Sequence, residues 1–260
     1  MGSPREELLA LLRGLNLGAM ASAVEDSALR AAKEGLSHEA FLLELARTER
    51  AAKSARRVAR LRPHSGLLLG KSFRTIDLNR FAPATRMQIE RLRDGSFLNE
   101  AINVVAIGRP GAGKSHLVSA LGHALIELGH PVLFATTGAL MQRLLAAKRD
   151  LRLPQELAKL DRFECLILDD IGYVQHDRDE MEVLFTLLAE RYERKSVAIT
   201  TNLVFSEWDR IFKDPMTTLA AIDRVVHHSV VLDLMAVESY RAKAAGAKSK
   251  TRLAAEPAAV

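Results

Sequence analysis

The N-terminal quarter of the chain has the hydrophobic spacing of amphipathic helices. Four leucines recur at the i, i+3, i+4 and i+7 positions that share one helix face, namely Leu8, Leu11, Leu12 and Leu15. A second helical stretch begins after Ser37, a residue type that favours the N-cap, and continues through Leu45 to Pro63, which cannot extend a helix. The pattern predicts a helical segment over roughly the first 60 residues.

From residue 102 onward, short apolar runs alternate with helical patterns. The runs predict five strands: Ile102 to Ile107, Val132 to Ala135, Cys165 to Leu168, Val197 to Thr200 and Val230 to Leu234. Between the first two, Lys114 to Leu128 reads as a helix that Gly129 terminates. Residues 138 to 162 have room for two helices. Buried strands separated by helices indicate an α/β fold with a parallel sheet flanked by helices.

Two changes of pattern divide the chain. Pro63 to Gly70 is turn-prone and Phe73 to Asn99 is mixed, so we place a domain boundary near residue 72. The tail from Ala244 is rich in alanine and lysine, a composition typical of disorder. We therefore expect a small helical domain over residues 1–72, an α/β domain over 73–243 and a disordered tail over 244–260.

The composition excludes several classes of protein. The chain has 260 residues, of which 48% are hydrophobic, which is enough to bury a sizeable core. It has no run of about 18 uncharged apolar residues and no apolar signal region at its N-terminus, so we expect a cytoplasmic protein with no membrane partner. Its single cysteine, Cys165, excludes an intrachain disulfide and a cysteine-based zinc site.

Positive charge is concentrated in one segment. The formal net charge is +5, and between residues 47 and 74 the one acid is Glu49. The same segment contains nine basic residues: Arg47, Arg50, Lys53, Arg56, Arg57, Arg60, Arg62, Lys71 and Arg74. This segment is a candidate DNA-binding surface, although a solvated helix face has the same composition.

One motif assigns chemistry to the α/β domain. Residues 108 to 115 read G-x-x-x-x-G-K-S, after a predicted strand and at the start of a predicted helix. In such a P-loop the backbone N–H groups surround phosphate oxygens, Lys114 reaches the β- and γ-phosphates of ATP, and Ser115 ligates Mg²⁺. The predicted nucleotide-binding residues are Gly108, Arg109, Pro110, Gly111, Ala112, Gly113, Lys114, Ser115 and His116.

Polar residues also end two further predicted strands. Asp169 and Asp170 follow one of them, and the carboxyl ends of parallel strands line a common crevice, so we expect both carboxylates beside the P-loop. There Asp169 would hold Mg²⁺ and Asp170 would polarise the attacking water, unless Asp170 is only a turn residue before Gly172. Asn202 ends the next strand, where it would hydrogen-bond the γ-phosphate or the water.

Five more motifs occur along the chain. They are Phe73-Arg74-Thr75-Ile76-Asp77, Arg191-Tyr192-Glu193, Phe205-Ser206-Glu207-Trp208, Ala221-Ile222-Asp223-Arg224-Val225-Val226-His227-His228 and Glu238-Ser239-Tyr240-Arg241. With the P-loop and the two polar strand ends, they resemble the IstB family of AAA+ ATPases. That family comprises helper ATPases of insertion-sequence transposition and is related to bacterial replicative helicase loaders. The resemblance covers about Leu8 to Lys243.

The resemblance assigns roles to two arginines. Arg224 resembles the arginine finger that reaches the ATP of a neighbouring subunit, and Arg241 resembles the second sensor arginine, which also contacts phosphate. The structural alternatives are a salt bridge from Arg224 to Asp223 or a nearby helix, and a solvated tail position for Arg241. His227 and His228 have no acidic or cysteine partner at ligand spacing, so we interpret them as surface or structural residues.

The chain departs from the family pattern at three places. Asp170 stands where AAA+ sites usually have glutamate, and Ala236-Val237 stands where the family usually has glycine. Too few residues follow Leu234 for a full C-terminal lid, so the resemblance implies that a neighbouring subunit helps to enclose the nucleotide.

The resemblance also implies a function. It predicts an ATP- and Mg²⁺-dependent ATPase that assembles as a homo-oligomer on double-stranded DNA and recruits and stimulates its transposase, with hydrolysis controlling assembly and release. A replicative helicase loader is the alternative within the same class. A P-loop kinase acting on a small molecule and a nucleotide-binding structural protein without turnover are the alternatives from other classes.

Overall fold

The computed structural model describes residues 3–172, 178–212 and 215–240. The chain divides into two compact units, Met1–Arg60 and Leu61–Val260. Arg241 and the expected tail lie outside the described residues. Within the described ranges, no helix has both the length and the apolar character needed to cross a membrane.

The first unit consists of three helices: α1 (Pro4–Gly14), α2 (Gly18–Glu34) and α3 (His38–Leu61). A capping box opens α1, because Ser3 accepts from the backbone of the first turn and Glu6 accepts from the N–H of Ser3 at 2.9 Å. At the start of α3, Ser37 Oγ accepts from Ala40 N at 3.2 Å. The helical N-terminal segment predicted from the sequence is confirmed.

Glu49 is a buried carboxylate between two of these helices. Its side chain accepts hydrogen bonds from Met20 N and from Arg56 Nη2, both at 2.9 Å. The bond from Met20 is the largest cause that lowers the pKa of Glu49 below its ordinary value, against the opposing effect of desolvation. Glu49 therefore joins α2 to α3, and it neutralises one member of the basic segment, Arg56.

The described part of the second unit contains five strands: β1 (Asn103–Ile107), β2 (Val132–Thr136), β3 (Cys165–Asp169), β4 (Ser196–Thr201) and β5 (Ser229–Asp233). Its α-helices are α4 (Pro83–Leu92), α5 (Lys114–Glu127), α6 (Thr137–Arg149), α7 (Leu153–Leu160), α8 (Arg178–Arg191), α9 (Asp209–Phe212) and α10 (Pro215–Val226). The five predicted strands are all present, and α6 and α7 occupy the segment that had room for two helices.

The strands form one parallel sheet in the order β2-β3-β4-β1-β5. Helices cover both faces because successive strand residues point in opposite directions. Leu166 and Leu168 of β3 belong to the core cluster that contains residues of α6, α7 and α8, whereas a Cβ built on Gly122 of α5 would lie 2.9 Å from Ile167. The predicted α/β fold with a flanked parallel sheet is confirmed.

The second unit begins earlier in the chain than the boundary we placed near residue 72. Phe134 N of β2 donates to Ser65 O at 2.6 Å, and Leu68 N donates to Ser119 Oγ of α5 at 3.2 Å. Leu67 is buried. The turn-prone segment after Pro63 therefore runs along the edge of β2, where its backbone polar groups find partners, and it is not a linker.

Gly66 gives a test of this edge contact. Its φ is +63°, and an added Cβ would lie 2.6 Å from the carbonyl oxygen of Phe134. Gly70 has a similar φ of +73° with open space around it. We expect Gly66→Ala to lower the free energy of unfolding by more than about 2 kcal/mol, because a steric clash adds to the backbone cost, and Gly70→Ala by about 1 kcal/mol. Urea unfolding measures both; equal losses would contradict the contact.

Candidate functional site

The P-loop joins the carboxyl end of β1 to the start of α5. Gly108 N donates to Thr201 O of β4 at 3.1 Å, and a Cβ on Gly108 would lie 2.9 Å from Leu234, so side chains larger than hydrogen do not fit there. Gly111 and Gly113 have φ of +85° and +99°, the left-handed region that glycine adopts without strain. The three glycines of the motif are thus required by the backbone path.

Lys114 and the first turn of α5 form the cationic part of the loop. The buried ammonium of Lys114 donates to Gly108 O at 2.7 Å and to Arg109 O at 3.2 Å. Gly113 is the N-cap of α5, and its position provides no side-chain cap for the first N–H groups of the helix. A helix N-terminus of this kind, preceded by a glycine loop and carrying a lysine, suits a polyphosphate.

The two aspartates stand at the end of β3, but β3 is not the neighbour of β1. β4 lies between them, so one strand separates the carboxylates from the strand that leads into the P-loop. Thr200 of β4 holds both: its Oγ1 donates to Asp169 Oδ1 at 2.6 Å and accepts from Asp170 N at 2.8 Å. Asp170 has a φ of +65°, an uncommon conformation for aspartate that this contact helps to fix.

Asn202 follows β4 at the same edge of the sheet. Its Oδ1 is buried and has no hydrogen-bond partner among the described residues, and it lies 2.8 Å from the place of a Cβ on Gly172. Buried amide oxygens are nearly always hydrogen-bonded, so this atom is suited to a partner that is not part of the chain. The P-loop, Asp169, Asp170 and Asn202 therefore lie together at the carboxyl ends of β1, β3 and β4.

Arg224 lies at the opposite end of the sheet, near the amino ends of the strands. The carbonyls of Arg224 and Val225 accept hydrogen bonds from Asn103 Nδ2, at the amino end of β1. β1 has 5 residues and spans about 16 Å, so Arg224 is far from the P-loop of its own chain. Its guanidinium carbon lies 4.3 Å from the centre of the Phe185 ring, and its Nη1 is buried without a hydrogen-bond partner in the described part of the chain.

The last described residues contact the P-loop, and no sequence pattern predicted this contact. Tyr240 N donates to Gly111 O at 3.0 Å, and Ser239 occupies the place where a Cβ on Gly111 would lie. Arg80 donates to Glu238 O, and its guanidinium lies 5.4 Å from the centre of the Tyr240 ring. The motif that contains Arg241 was visible in the sequence, but only Arg241, which lies outside the described residues, was assigned a role.

Two other motif residues have structural contacts. His116 Nε2 lies 3.0 Å from Thr75 Oγ1, and burial is the largest cause that lowers the pKa of this histidine below its ordinary value. The side chain is thus tied to the segment before α4, and any nucleotide contact of His116 is left to its backbone. Arg191 is buried and donates to four backbone carbonyls, those of Leu160, Phe163, Glu164 and Ser196.

The fold and the P-loop define the class of the protein. A parallel sheet with the order found here, a P-loop after β1 and strand-end carboxylates on β3 are the features of an AAA+ P-loop ATPase. The chain belongs to the family of IstB-like ATP binding proteins, whose sequence model matches residues 10–248. The resemblance predicted from the sequence motifs is confirmed, and the protein is an ATP-binding ATPase.

Individual relatives agree with this family. The chain is 42% identical over 236 residues to an insertion sequence ATP-binding protein of Sinorhizobium fredii, covering 90% of this chain and 79% of the relative. It is 34% identical over 237 residues to the IS21 ATP-binding protein of Pseudomonas aeruginosa, covering 91% and 89% of the two chains.

Solved structures share the fold at lower identity. AMPPCP-bound DnaA from Aquifex aeolicus superposes with a TM-score of 0.56 at 15% identity, over 71% of this chain. The matched region spans 56% of that DnaA chain, so the likeness concerns little more than half of its length.

The role of Thr200 can be separated from its contribution to stability. Thr200→Val keeps the shape of the side chain but removes both hydrogen bonds to the aspartates. We expect ATP hydrolysis to fall by about 10-fold to 100-fold, as for other partners that orient catalytic carboxylates, with ATP affinity nearly unchanged. Thr201→Val is the matched control, because its hydroxyl bonds the backbone of Leu203 alone. Equal hydrolysis in the two variants, measured as phosphate release, would contradict this role.

Proposed function

We propose that this ATPase is a DNA-binding helper of insertion-sequence transposition, which assembles on double-stranded DNA when ATP binds and disassembles after hydrolysis. The observation that carries the proposal is the convergence of the P-loop, Asp169, Asp170 and Asn202 at one edge of the sheet in a chain of this family. The relatives are described as insertion sequence ATP-binding proteins, which supports the cognate transposase as the protein partner.

At the nucleotide site, each residue type suits a distinct part of ATP. The backbone N–H groups of residues 109–116 and the ammonium of Lys114 bind the phosphates. Ser115 and Asp169 provide the oxygen ligands that Mg²⁺ prefers, and the hydrogen bond from Thr200 fixes the orientation of Asp169. When bound there, Mg²⁺ offsets the negative charge of the phosphates.

Asp170 and Asn202 suit the attacking water. The backbone N–H of Asp170 donates to Thr200 Oγ1 at 2.8 Å, and a carboxylate at this strand end suits a proton acceptor for the water. The orphaned Oδ1 of Asn202 accepts a hydrogen bond from the same water. Because aspartate is one methylene shorter than the usual glutamate, we expect slow hydrolysis, as suits a switch.

Arg224 serves the ATP of a neighbouring subunit. It lies near the amino end of β1, and the length of this strand, about 16 Å, separates it from its own P-loop. Arg224 therefore cannot reach the nucleotide of its own chain. The unpaired Nη1 donor supports an anionic partner that comes from outside the chain. A finger that acts in trans makes hydrolysis depend on assembly, with ATP sites at the interfaces of a homo-oligomer.

Mixing two inactive variants tests the trans arrangement. Asp170→Asn and Arg224→Ala should each hydrolyse ATP at a small fraction of the wild-type rate. In an equal mixture, roughly one interface in four combines an intact Asp170 with an intact Arg224, so phosphate release should recover to about a quarter of the wild-type rate. Asp170→Asn mixed with the double variant is the control and should not recover. No recovery in the first mixture would rule out a finger in trans.

The DNA-binding surface of the proposal lies on the C-terminal half of α3. Arg50, Lys53, Arg57 and Arg60 recur at i, i+3, i+7 and i+10, which aligns them in one stripe along the helix, and all four are exposed. In the described structure, Arg50, Lys53 and Arg60 form no ion pair. A row of exposed cations on one helix face suits the phosphates of DNA.

A second basic cluster is a weaker candidate because acids neutralise it. Arg143 pairs with Glu156, and Arg152 lies 2.6 Å from Asp150. Lys148 contacts both Asp179 at 3.3 Å and Glu182 at 2.8 Å. These bases are therefore already paired within the second unit, whereas Arg50, Lys53 and Arg60 of the α3 stripe form no ion pair in the described structure.

Charge reversal on the α3 stripe tests DNA binding. We expect Arg50→Glu with Lys53→Glu and Arg60→Glu to weaken binding to duplexes of unrelated sequence, and to flatten the slope of log affinity against log salt by about 0.9 for each lost phosphate contact. ATP binding without DNA should stay unchanged. The matched control reverses three exposed arginines of the second unit, Arg91, Arg149 and Arg162.

Fluorescence anisotropy over a range of salt concentrations measures both quantities. If the α3 variant keeps the wild-type affinity and slope, or if the control variant loses as much affinity, the stripe is not the DNA-binding surface.

A further inference from the structure

Two turns that are distant in sequence meet near the amino edge of the sheet. Glu193 lies in the turn between α8 and β4, and His227 and His228 form the turn between α10 and β5. One ligand atom from each of the three side chains lies within 4.8 Å of the other two. The sequence showed two histidines without an acidic partner, because the acid comes from the other turn.

The distances suit a single metal ion. His228 Nε2 lies 3.4 Å from Glu193 Oε1. Two ligands of a tetrahedral zinc ion with bonds of about 2.0–2.1 Å are separated by about 3.3 Å, so this pair already has the required spacing. The rings of His227 and His228 are nearly perpendicular, at 84°, with centres 4.5 Å apart. Adjacent histidines reach a common point here because the backbone turns between α10 and β5.

Tyr192 contacts His227, one of the three side chains of this group. Its hydroxyl lies 3.5 Å from His227 Nδ1. When Nδ1 of His227 carries the proton and donates to Tyr192, Nε2 of that ring is left as a ligand. Partners of this kind hold metal-binding histidines in one tautomer and one orientation in many proteins.

We propose that Glu193, His227 and His228 bind one divalent transition-metal ion of the zinc type, with water as the remaining ligand. Two imidazoles and one carboxylate suit Zn²⁺ and similar ions, whereas Mg²⁺ prefers oxygen ligands. All three side chains are exposed, so the ion has an open path to the site.

An ordinary ion pair is the competing explanation for these contacts. The pair His130 and Glu164 shows that this chain also forms histidine–glutamate contacts with no third such ligand among the described residues. Glu193, His227 and His228 differ from that pair because the group contains a second imidazole, and because Tyr192 contacts one of the two imidazoles. In the described ranges, this is the one group of three such side chains at metal-binding distance.

A metal ion at this place would connect the two turns. It would fix the start of β4 relative to the start of β5, next to the last turn of α10, which carries Arg224. The proposed site uses neither the P-loop nor the strand-end aspartates, so its ligands are distinct from the residues of the nucleotide site.

Zinc titration of the full-length protein tests the proposal. For this measurement the protein is prepared without a polyhistidine tag and without nucleotide, and a chelator removes bound metal. Excess Mg²⁺ is then added to occupy oxygen-rich sites. Calorimetry with zinc chloride should give one ion per chain. His228→Gln and Glu193→Gln should each weaken the affinity by at least about 10-fold, because each removes one of three protein ligands. His130→Gln is the matched control and should change it by less than about twofold.

A second readout identifies the ligands directly. Co²⁺ in place of Zn²⁺ should give visible absorption bands in the wild type and in His130→Gln but not in His228→Gln. Thermal unfolding without metal checks that each variant is folded, as we expect for exposed side chains. The proposal is overturned if the wild type binds no more zinc than His228→Gln and Glu193→Gln, or if His130→Gln loses zinc to the same extent.

Discussion

The position of β4 between β3 and β1 is the constraint on which the site depends. Backbone hydrogen bonds tie Thr201 to Gly108 on one side and Thr200 to Ile171 on the other. Thr200 also holds Asp169 and the backbone of Asp170 through its hydroxyl. The distance between the phosphate loop and the carboxylates is therefore set by one buried strand, whose rigidity comes from pairing along both edges. A site built in this way is preorganised by the sheet rather than by flexible loops.

The elements of this site that are local in sequence were predictable. The P-loop is a contiguous motif, and each strand is a short apolar run that ends in polar residues, so both the strands and the fold class followed from hydrophobic pattern alone. The order of the strands did not, because the neighbour of β1 is decided by packing. We expected Asp169 and Asp170 beside the P-loop, but Thr200, which holds them, looked like an ordinary strand residue.

Contacts between distant segments could not be predicted from the sequence either, because packing also decides them. Nothing in the pattern around Ser65 to Leu68 indicates that this segment pairs with β2, so the unit boundary was placed too late. The contact of Ser239 and Tyr240 with Gly111, and the approach of Glu193 to two histidines, each join residues far apart in the sequence. The structural role of Arg191 is likewise recognisable only from the structure, because burial and four backbone carbonyls decide it.

Nucleotide binding at the P-loop is the central claim, and the affinity of Lys114→Ala for a fluorescent ATP analogue tests it most directly. The ammonium of Lys114 is buried within the loop and suits the β- and γ-phosphates, so its loss should weaken binding by at least about 10-fold. Lys159→Ala, which removes a lysine from the surface of α7, should bind the analogue as the wild type does. Wild-type affinity in Lys114→Ala, with the protein folded, would contradict the account.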